Sequence, residues 1–292
     1  MPDFSIVTIS FNQAIYLEKC ITSVLGQTGA SFEYIVVDPG STDGSREIIS
    51  RYAGEIDTIL LEPDNGPADG LNNGFQAATG RYLITINADD FLLPFALEKI
   101  FSLLSASSFP EILLCGGWLV NGRGEPRRRM FSSRYTPKGL VNHGSSMFQP
   151  GMIIRRELVE EVGGFNTDNH TCWDHELLVD LTIAGAKPVI STARVAAFRM
   201  HDTSISSGHY GPEMAERYAR DLARIHDKMR PGKSHVPGRD LGLLARCEKY
   251  LRTPEIIPYI LHDKILRHKI TRAWARDIRS LSSSAHKQRE VK

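Results

Sequence analysis

The stretch YIVVDPGSTDGS, residues 34–45, decides the fold that the rest of the chain predicts. An apolar, β-branched run at residues 35–37 stands directly before a cluster of small and acidic residues that begins at Asp38. Such a run is typical of a strand that is buried on both faces of a parallel sheet. The glycines of the cluster ease a turn, and its Ser, Thr or Asp side chains can cap a following helix.

Similar units of strand and polar loop lie on both sides of this stretch, at SIVTISFN (5–12) and YLITINADD (82–90). Strands are predicted at 4–10, 34–37, 58–61 and 82–86, and helices at 14–25, 45–52, 68–78 and 94–104. This alternation predicts an α/β fold with a Rossmann-like, doubly wound, mainly parallel sheet and right-handed crossovers.

The middle of the chain is less regular. Further strands are predicted at 111–120, 151–155 and 188–198, helices at 157–162 and 175–184, and a turn-rich loop at 121–129. The pattern is helical from residue 210, with a break at 231–237. We therefore expect an α/β domain at 1–205, in a regular part at 1–105 and a less regular part at 106–205, followed by a helical, basic C-terminal region at 206–292.

Composition narrows the class of protein. The net charge of +1 over 292 residues gives no reason to expect a nucleic-acid partner. The four cysteines are scattered without the spacing of metal ligands, which argues against structural zinc and favours a reducing compartment. The N-terminus resembles a strand rather than a signal peptide, and no run approaches 18 apolar residues, so no spanning helix is expected.

Three acidic clusters carry the functional prediction: DPGSTDGS (38–45), NADD (87–90) and WDHE (173–176). The first two follow predicted parallel strands, and the carboxyl ends of such strands form the ligand crevice of an open α/β sheet. Carboxylates gathered at one sheet edge suggest a nucleotide and a divalent metal.

Ser10, Asn12 and Asp38 follow the first two strands and are candidates for binding a nucleotide base. A carboxylate at this position can accept the imide N–H of a uracil ring, while the neighbouring polar groups fix the ring. The alternative is that Asn12 and Asp38 serve only as turn and cap residues, as Asn and Asp often do.

NADD follows the fourth strand. There a carboxylate can hold Mn²⁺ or Mg²⁺ beside a diphosphate, and the metal neutralises charge that develops on the leaving group. Asp89 is the expected ligand, with Asp90 in support. The alternative is a pair of N-cap residues before the helix that Pro94 opens.

WDHE begins a helix, where the helix dipole stabilises anions by about 0.3–1 kcal/mol. Asp174 is the candidate general base, which needs a carboxylate within hydrogen-bond reach of an acceptor hydroxyl. The alternative is again helix capping.

FRMHDTSISS (198–207) ends the last strand-like run and offers Arg199 and His201 for contact with diphosphate or metal. The Ser-rich stretch after them could close as a lid. The alternative for the histidine is a purely structural role.

Taken in order, these segments resemble family 2 glycosyltransferases of the GT-A fold. The motifs are SIVTISFN, QxxYLxxCIxSVLxQ from Gln13, VVDPGSTDGS, EPDNGPADGLNNGFQAATG, YLITINADDFLLP, VGGFN, WDHELLVDLTIAG and FRMHDTSIS. The resemblance covers residues 4–207, and it implies a catalytic domain at 1–205 with a nucleotide-sugar part at 1–105 and an acceptor part at 106–205. The EPDxGxxDxxNxGxxxATG form is similar to a bacterial subgroup that builds surface polysaccharides such as O-antigen, capsule or exopolysaccharide.

The resemblance implies an inverting, metal-dependent transfer of a sugar, with a UDP-sugar as the expected donor and a glycan or lipid-linked acceptor. It implies base contacts for Ser10, Asn12 and Asp38, and a general base at Asp174. The remaining roles are a donor-pocket position for Asp69, a ribose contact for Asn87, a metal ligand at Asp89, and metal or diphosphate contact for His201. Many relatives have Asp at position 87 and an acidic residue at position 173, where this chain has Asn and Trp.

Residues 256–281 combine apolar residues at helical spacing with a basic face, and nine Lys or Arg against two acids fall between 264 and 292. The pattern fits either a helix on an anionic membrane surface or a helix packed on the catalytic domain. A cytoplasmic protein is expected in both cases, with contact to the inner face of the plasma membrane in the first. Two rival functions are a non-catalytic scaffold with the same fold and a sugar nucleotidyltransferase, although the basic, Gly-rich phosphate loop of the latter is missing near the N-terminus.

Overall fold

The computed structural model of the protein describes residues 1–133, 147–202, 204, 212–229, 256–258, 270 and 273–278. The nine strands are β1 Phe4–Ile9, β2 Phe32–Val37, β3 Thr58–Leu60, β4 Tyr82–Thr85, β5 Phe91–Leu92, β6 Ile112–Asn121, β7 Pro126–Met130, β8 Met152–Arg155 and β9 Val189–Met200. The seven α-helices with assigned bounds are α1 Ala14–Leu25, α2 Ser45–Arg51, α3 Pro67–Ala77, α4 Ala96–Ala106, α5 Arg156–Glu161, α6 Trp173–Ile183 and α7 Pro212–Met229, and Gln149–Gly151 forms a 3₁₀ turn.

All nine strands belong to one sheet with the order β3-β2-β1-β4-β8-β6-β9-β5, and β7 pairs with β6. The first four strands are parallel, as predicted. The second half is mixed, because β8 runs antiparallel to both β4 and β6, whereas β9 is parallel to β6. The predicted α/β class is confirmed, and the doubly wound parallel part of the sheet corresponds to its N-terminal half.

The register of the parallel strands fixes where the polar loops emerge. Ile9 pairs with Val37, so β1 and β2 end at the same level and Ser10 and Asp38 follow side by side. Val7 pairs with Thr85 on the other side of β1, which brings the end of β4 to the same edge of the sheet. Three of the predicted site segments therefore start from neighbouring strand ends.

Apolar residues cover both faces of this sheet because alternate side chains of a strand point to opposite sides. Ile6, Val36 and Ile84 join one buried cluster, whereas Val7 and Ile35 join a second. Helices α1 and α4 contribute to the first cluster, and α3 and α6 contribute to the second.

Several predicted bounds are corrected by tertiary contacts. Residues 126–129 of the predicted loop belong instead to β7, which pairs antiparallel with β6. The two-residue strand β5 is too short for a periodicity to reveal it. Helix α4 begins at Ala96 rather than Pro94, because the N–H of Leu93 donates to Val195 and Phe95 adopts a left-handed φ of 56°.

The described part of the C-terminal region packs on the rest of the protein. Helix α7 contacts α6, and Ile256, Ile270 and Ala273 are buried. These contacts favour the packed alternative for the described residues of the 256–281 segment, whose other residues lie outside the described part. In the described ranges, no helix combines the length and apolar character that crossing a bilayer requires. The domain boundary near residue 205 stays a prediction.

Candidate functional site

Asn12 joins the loops that follow β1 and β2. Its backbone N–H donates to the Ser41 hydroxyl at 2.8 Å, and its side-chain oxygen accepts the N–H of Thr42 at 2.9 Å. It adopts a left-handed φ of 54°, which asparagine tolerates better than most residues. The turn role weighed for Asn12 in the sequence is therefore present, and it shapes the same corner that Ser10 and Asp38 line.

Asp38 is fully buried, yet only one of its carboxylate oxygens is engaged. Oδ1 accepts the N–H groups of Gly40 and Ser41 and the Nε–H of Arg46 at 2.8–3.1 Å. Burial by itself would raise the pKa of Asp38, but the hydrogen bonds from Ser41, Arg46 and Gly40 outweigh it and lower the pKa. Asp38 is thus an anion at neutral pH.

Asp38 Oδ2 and Ser10 Oγ are buried and find no hydrogen-bond partner in the described ranges. A buried polar atom without a partner costs about 1–3 kcal/mol, so each such atom in a native structure needs an explanation. The N–H and carbonyl groups of a nucleotide base would satisfy both atoms.

The loop before α3 contains Asp64, a carboxylate that the sequence prediction missed, and the predicted residue Asp69 lies in the first turn of α3. Asp69 accepts the backbone and side-chain N–H groups of Asn65 at 2.9 Å, so it braces this loop. Asp64, in the same loop, has a pKa raised by burial and by the charges of Asp69 and Asp38. A Cβ at position 70 would lie 2.6 Å from Asp64 Oδ2, so a larger residue there would displace the Asp64 carboxylate. The EPDNG motif contained Asp64, but nothing in it separated this residue from turn formers.

A second corner of the site, which we call the Asp89 corner, lies where β4 and β9 end and contains Asp89 and His201. Asp89 Oδ2 lies 3.0 Å from His201 Nε2, and the two side chains are 18% and 7% exposed. The carboxylate oxygen is a suitable ligand for Mn²⁺ or Mg²⁺, which would complete its shell with diphosphate oxygens and water, whereas the imidazole nitrogen is a poorer ligand for Mg²⁺ than for Mn²⁺. The arrangement therefore suits a metal ion that is bound partly by the protein and partly by the diphosphate of a ligand. In the ranges that the structure describes, no group of three or more His, Cys, Asp or Glu side chains converges as a full protein cage.

Asp90 is placed differently from Asp89. It is 1% exposed, and its Oδ1 accepts the backbone N–H of Arg199 at 2.7 Å. Burial, followed by the charge of Asp89, raises its pKa well above the ordinary aspartate value. This contact ties β9 to the loop after β4, and the expected metal contact of Asp90 stays a prediction.

Arg199 holds the backbone of the Asp89 corner in place. Its Nε–H donates to the Asp89 carbonyl at 2.7 Å and its Nη1 to the Gly122 carbonyl at 2.9 Å. The guanidinium lies 4.6 Å from the centre of the Tyr16 ring, which itself lies 4.7 Å from the His201 ring. These contacts make Arg199 a positioning residue, and its predicted contact with diphosphate stays a prediction. Tyr16 was missed, although the YLxxC motif contained it.

Asn87 lies between the two corners. Its Oδ1 is buried without a hydrogen-bond partner in the part of the chain that is described, and its Nδ2 lies at the long distance of 3.5 Å from Gln149 Oε1. Gln149 in turn donates to the Thr85 carbonyl at 3.2 Å. An amide with a spare acceptor suits the expected contact with a ribose hydroxyl. Gln149 was missed because its segment carries no recognisable pattern.

Asp174 lies in the first turn of α6, as predicted, although the helix starts at Trp173. Its Oδ1 accepts the N–H of His175 at 2.8 Å. Burial raises the pKa of Asp174, and the charge of His175 and hydrogen bonds oppose this rise only partly. A carboxylate with a raised pKa is suited to taking a proton. Among the described residues, no hydrogen bond or ion pair joins Asp174 to Asp38 or Asp89.

The neighbouring Glu176 anchors the region instead of facing a ligand. It is fully buried and accepts hydrogen bonds from Asn166 at 2.9 Å and Asn169 at 2.6 Å, and Lys228 Nζ of α7 lies at 2.8 Å. Burial alone would raise its pKa, but the bonds from Lys228, Asn166 and Asn169 lower it. Glu176 therefore joins α7 to the loop that precedes Asp174.

The loop that precedes Asp174 also contacts helix α3. Asn72 of α3 makes paired hydrogen bonds with the backbone N–H and carbonyl of Phe165, at 2.8 and 2.9 Å. Asp221 of α7 accepts the Thr171 hydroxyl at 2.7 Å and the N–H of His170 at 3.1 Å. The segment before the candidate base is thus fixed from two sides. The predicted lid falls mostly outside the described residues.

Comparison with known proteins gives these features a context. A family model described as "Glycosyl transferase family 2" matches residues 5–163. A protein of Nostoc sp., named an uncharacterized glycosyltransferase, is 27% identical over 244 residues, which is 76% of each chain. A "PGL/p-HBAD biosynthesis glycosyltransferase" of Mycobacterium bovis is 39% identical over 94 residues, 31% of this chain and 37% of that protein. The match thus spans little more than a third of the mycobacterial relative.

Solved structures share the fold. S. aureus TarS 1–349 in complex with UDP-GlcNAc superposes with a TM-score of 0.58 at 20% identity, over 94% of this chain and 88% of that one. The mannosyltransferase PcManGT of Pyrobaculum calidifontis, in complex with GDP-Man and Mn²⁺, gives a TM-score of 0.58 at 18% identity, over 91% and 76%. The predicted GT-A architecture is confirmed by this likeness.

Proposed function

The chain belongs to glycosyl transferase family 2, and on that premise we propose that it moves a sugar, with inversion, from a UDP-sugar to a hydroxyl of a glycan or lipid-linked acceptor. A nucleotide-sugar glycosyltransferase is the coarse assignment that membership supports. The nucleotide, the stereochemistry and the need for Mn²⁺ or Mg²⁺ are the proposed refinements.

One observation carries the proposal. Ser10 Oγ, Asp38 Oδ2 and Asn87 Oδ1 are buried at the ends of three neighbouring strands, and each has no hydrogen-bond partner among the described residues. Folding alone gives no reason to leave three such atoms unsatisfied at one sheet edge. A bound uridine nucleotide would satisfy them with its base and ribose.

The diphosphate would lie at the second corner, beside Asp89 and His201. A bound Mn²⁺ or Mg²⁺ supplies Lewis-acid stabilisation of the charge on a leaving diphosphate. Arg199 keeps the Asp89 backbone in place, so the carboxylate meets the ligand in a fixed position. Preorganisation of this kind lowers the reorganisation that the reaction would otherwise require.

Asp174 is the proposed general base. Its carboxylate accepts the proton of the acceptor hydroxyl, whose oxygen forms a bond to the anomeric carbon. The bond from that carbon to the diphosphate oxygen breaks, and the nucleoside diphosphate leaves with the electron pair. In-line attack inverts the configuration. The network around Glu176 holds the first turn of α6, from which Asp174 must reach the acceptor.

The proposed pathway is the synthesis of a bacterial surface polysaccharide. Its support is the sequence resemblance to the bacterial subgroup that builds such polysaccharides. A cytoplasmic location fits a donor made in the cytoplasm, and a lipid-linked acceptor would bring the protein to the inner face of the membrane. The hexosyl or N-acetylhexosaminyl class of the transferred sugar belongs to the same proposal.

A thermal-shift screen of UDP-, GDP- and dTDP-sugars with Mn²⁺ tests the donor, because a ligand that binds the native state raises its apparent stability. We expect UDP-sugars to give the largest shift and Asp38→Asn to abolish it. Hydrolysis or transfer of the best donor should stop when a chelator is added. Activity indifferent to chelation would remove the metal role of Asp89, and calorimetry showing no nucleotide binding would favour the scaffold alternative.

A further inference from the structure

The C-terminal residues 270 and 273–278 pack against strands that border the Asp89 corner. Ile270 and Ala273 are 7% and 2% exposed, and Trp274 and Ile278 are partly buried. Their apolar partners come from β5, β6 and β9 and the residue after β5: Phe91, Leu93, Trp118, Val120 and Ala197. A segment far from the family motifs in sequence therefore belongs to the core beside the site.

Asp277 fastens this segment to two strands at once. Its Oδ2 accepts the indole N–H of Trp118 at 2.8 Å and the Nε–H of Arg194 at 2.6 Å, and its Oδ1 accepts from Arg194 Nη2 at 3.1 Å. The paired contact with a guanidinium is geometrically specific, and the Arg194 and Asp277 side chains are only 23% and 15% exposed. The fastening is therefore stronger than a typical surface ion pair.

Trp274 lies between the strands that Asp277 anchors and Phe91, which is nearer to the Asp89 corner. Its ring meets Trp118 edge-on, with centroids 5.6 Å apart, and meets Phe91 in the same manner at 6.2 Å. Aromatic pairs with this geometry contribute about 0.5–1.5 kcal/mol beyond the area that they bury. Trp274 thus fixes one side of the Phe91 ring.

Phe91 in turn contacts the Arg199 guanidinium, which shapes the Asp89 corner. Its ring centre lies 5.4 Å from the Arg199 guanidinium, whose Nε–H holds the Asp89 carbonyl. It also directly follows Asp90, which accepts the backbone N–H of Arg199. A displacement of Phe91 would therefore move both the loop that carries Asp89 and the cation that braces it.

We propose that Trp274 and Asp277 are positioning residues, which hold Phe91 and Arg199 and, through them, keep Asp89 in the geometry that binds the metal–diphosphate part of the donor. The inference rests on the proposed metal role of Asp89. It gives the C-terminal region a part in donor binding, although the region lies outside the residues that the family model matches.

Calorimetric titration with UDP tests the inference, once with Mn²⁺ and once with a chelator. Trp274→Leu should weaken Mn²⁺-dependent UDP binding by roughly 2- to 30-fold, the range found for mutations that act through coupled contacts. Metal-free UDP binding should stay unchanged, because base contacts at Ser10 and Asp38 lie on other strands. Trp274→Phe, which keeps an aromatic ring against Phe91, should restore most of the affinity.

Arg276→Ala is the matched control, because Arg276 is an exposed neighbour on the same segment. If Trp274→Leu does not fold, Asp277→Asn carries the same test, since it keeps the side-chain volume but removes the charge that pairs with Arg194. Equal weakening with and without Mn²⁺, or unchanged binding in both, would overturn the inference. Failure of the unmodified protein to bind UDP more tightly with Mn²⁺ would instead contradict the proposed function.

Discussion

Asp89 Oδ2 lies 3.0 Å from Nε2 of His201, although 112 residues separate the two along the chain. One residue follows β4 and the other follows β9, which do not pair with each other in the sheet. The link between them is the bonding of Arg199 to the Asp89 carbonyl and to the Asp90 carboxylate. A carboxylate and an imidazole held together in this way form the part of the site from which metal dependence is expected.

Replacement of Asp89 should separate metal binding from base binding. Asp89→Asn removes the charge that attracts a divalent cation, so we expect the gain in UDP affinity on adding Mn²⁺ to disappear. Metal-free UDP affinity should stay within about two-fold. Asp38→Asn should weaken UDP binding with and without Mn²⁺. Calorimetry on the two variants measures this, and an Mn²⁺ effect that persists in Asp89→Asn would contradict the assignment.

Replacement of the proposed base should affect turnover and spare donor binding. Asp174→Asn keeps the size of the side chain but cannot accept the proton, so kcat should fall by about 10²–10⁴-fold. Affinity for UDP with Mn²⁺ should hardly change. Asp227→Asn is the control, because Asp227 is exposed on α7. Steady-state kinetics distinguishes the two, and full turnover by Asp174→Asn would exclude it as the base.

The pH dependence of kcat should also report Asp174. Burial raises the pKa of its carboxyl group, and only the deprotonated form accepts a proton, so activity is lost as the pH falls through that raised pKa. The acidic limb should therefore lie above the ordinary aspartate pKa of about 3.9. A pH–rate profile at saturating donor measures the limb. A limb at or below the ordinary value would show that another group controls it.

Arg199→Lys should not be conservative. Lysine keeps the charge but lacks the planar fork that bonds two carbonyls while it faces the Tyr16 ring. We expect about 1.5–3 kcal/mol lower stability in urea unfolding, from the loss of charge-assisted bonds to the Asp89 and Gly122 carbonyls. Mn²⁺-dependent UDP binding should weaken as well. Arg217→Lys, at an exposed pair with Glu213, should change neither.

The contact between Lys228 and Glu176 should stabilise the protein in a pH-dependent way. Its hydrogen bonds lower the pKa of Glu176, so the stabilisation is complete above the unfolded value of about 4.3 and is lost as the pH falls through the folded pKa. Lys228→Met should cost about 1.5–3 kcal/mol at neutral pH and less in acid. The control is Lys187→Met, since Lys187 is exposed. An equal loss at neutral and acidic pH would contradict this account.

The sequence predicted the first four strands well because they are short, continuous apolar runs with polar loops at their ends. The same pattern placed Ser10, Asp38 and Asp89 at one edge, and the register of β1, β2 and β4 confirms that placement for the strand ends. Residues 126–130 were missed as a strand because arginines dominate them. β7 exists through its hydrogen bonds to β6, a non-local cause that local composition does not contain.

The site residues likewise divide into those that the sequence could propose and those that only the structure revealed. Asp89 belongs to a recognisable motif, so the sequence was enough to propose it as a site residue. The sequence could not show that the guanidinium of Arg199 donates to the backbone carbonyls of Asp89 and Gly122. Glu176 shares a motif with Asp174, and only the contacts with Lys228 and the two asparagines separate the anchor from the candidate base. Tyr16, Asp64 and Gln149 became visible as site residues only through their neighbours in space.

By itself the sequence determined the α/β class, the succession of strands and helices in the N-terminal half and the family, because these depend on local periodicity and on motifs in fixed order. The tertiary structure decided which atoms remain unsatisfied, which carboxylates are anchored and where the C-terminal segment packs. Those features arise between residues that are distant along the chain, such as Asp277 with Trp118 and Asp89 with His201. Their energies depend on burial and on distance, and neither quantity exists until the chain has folded.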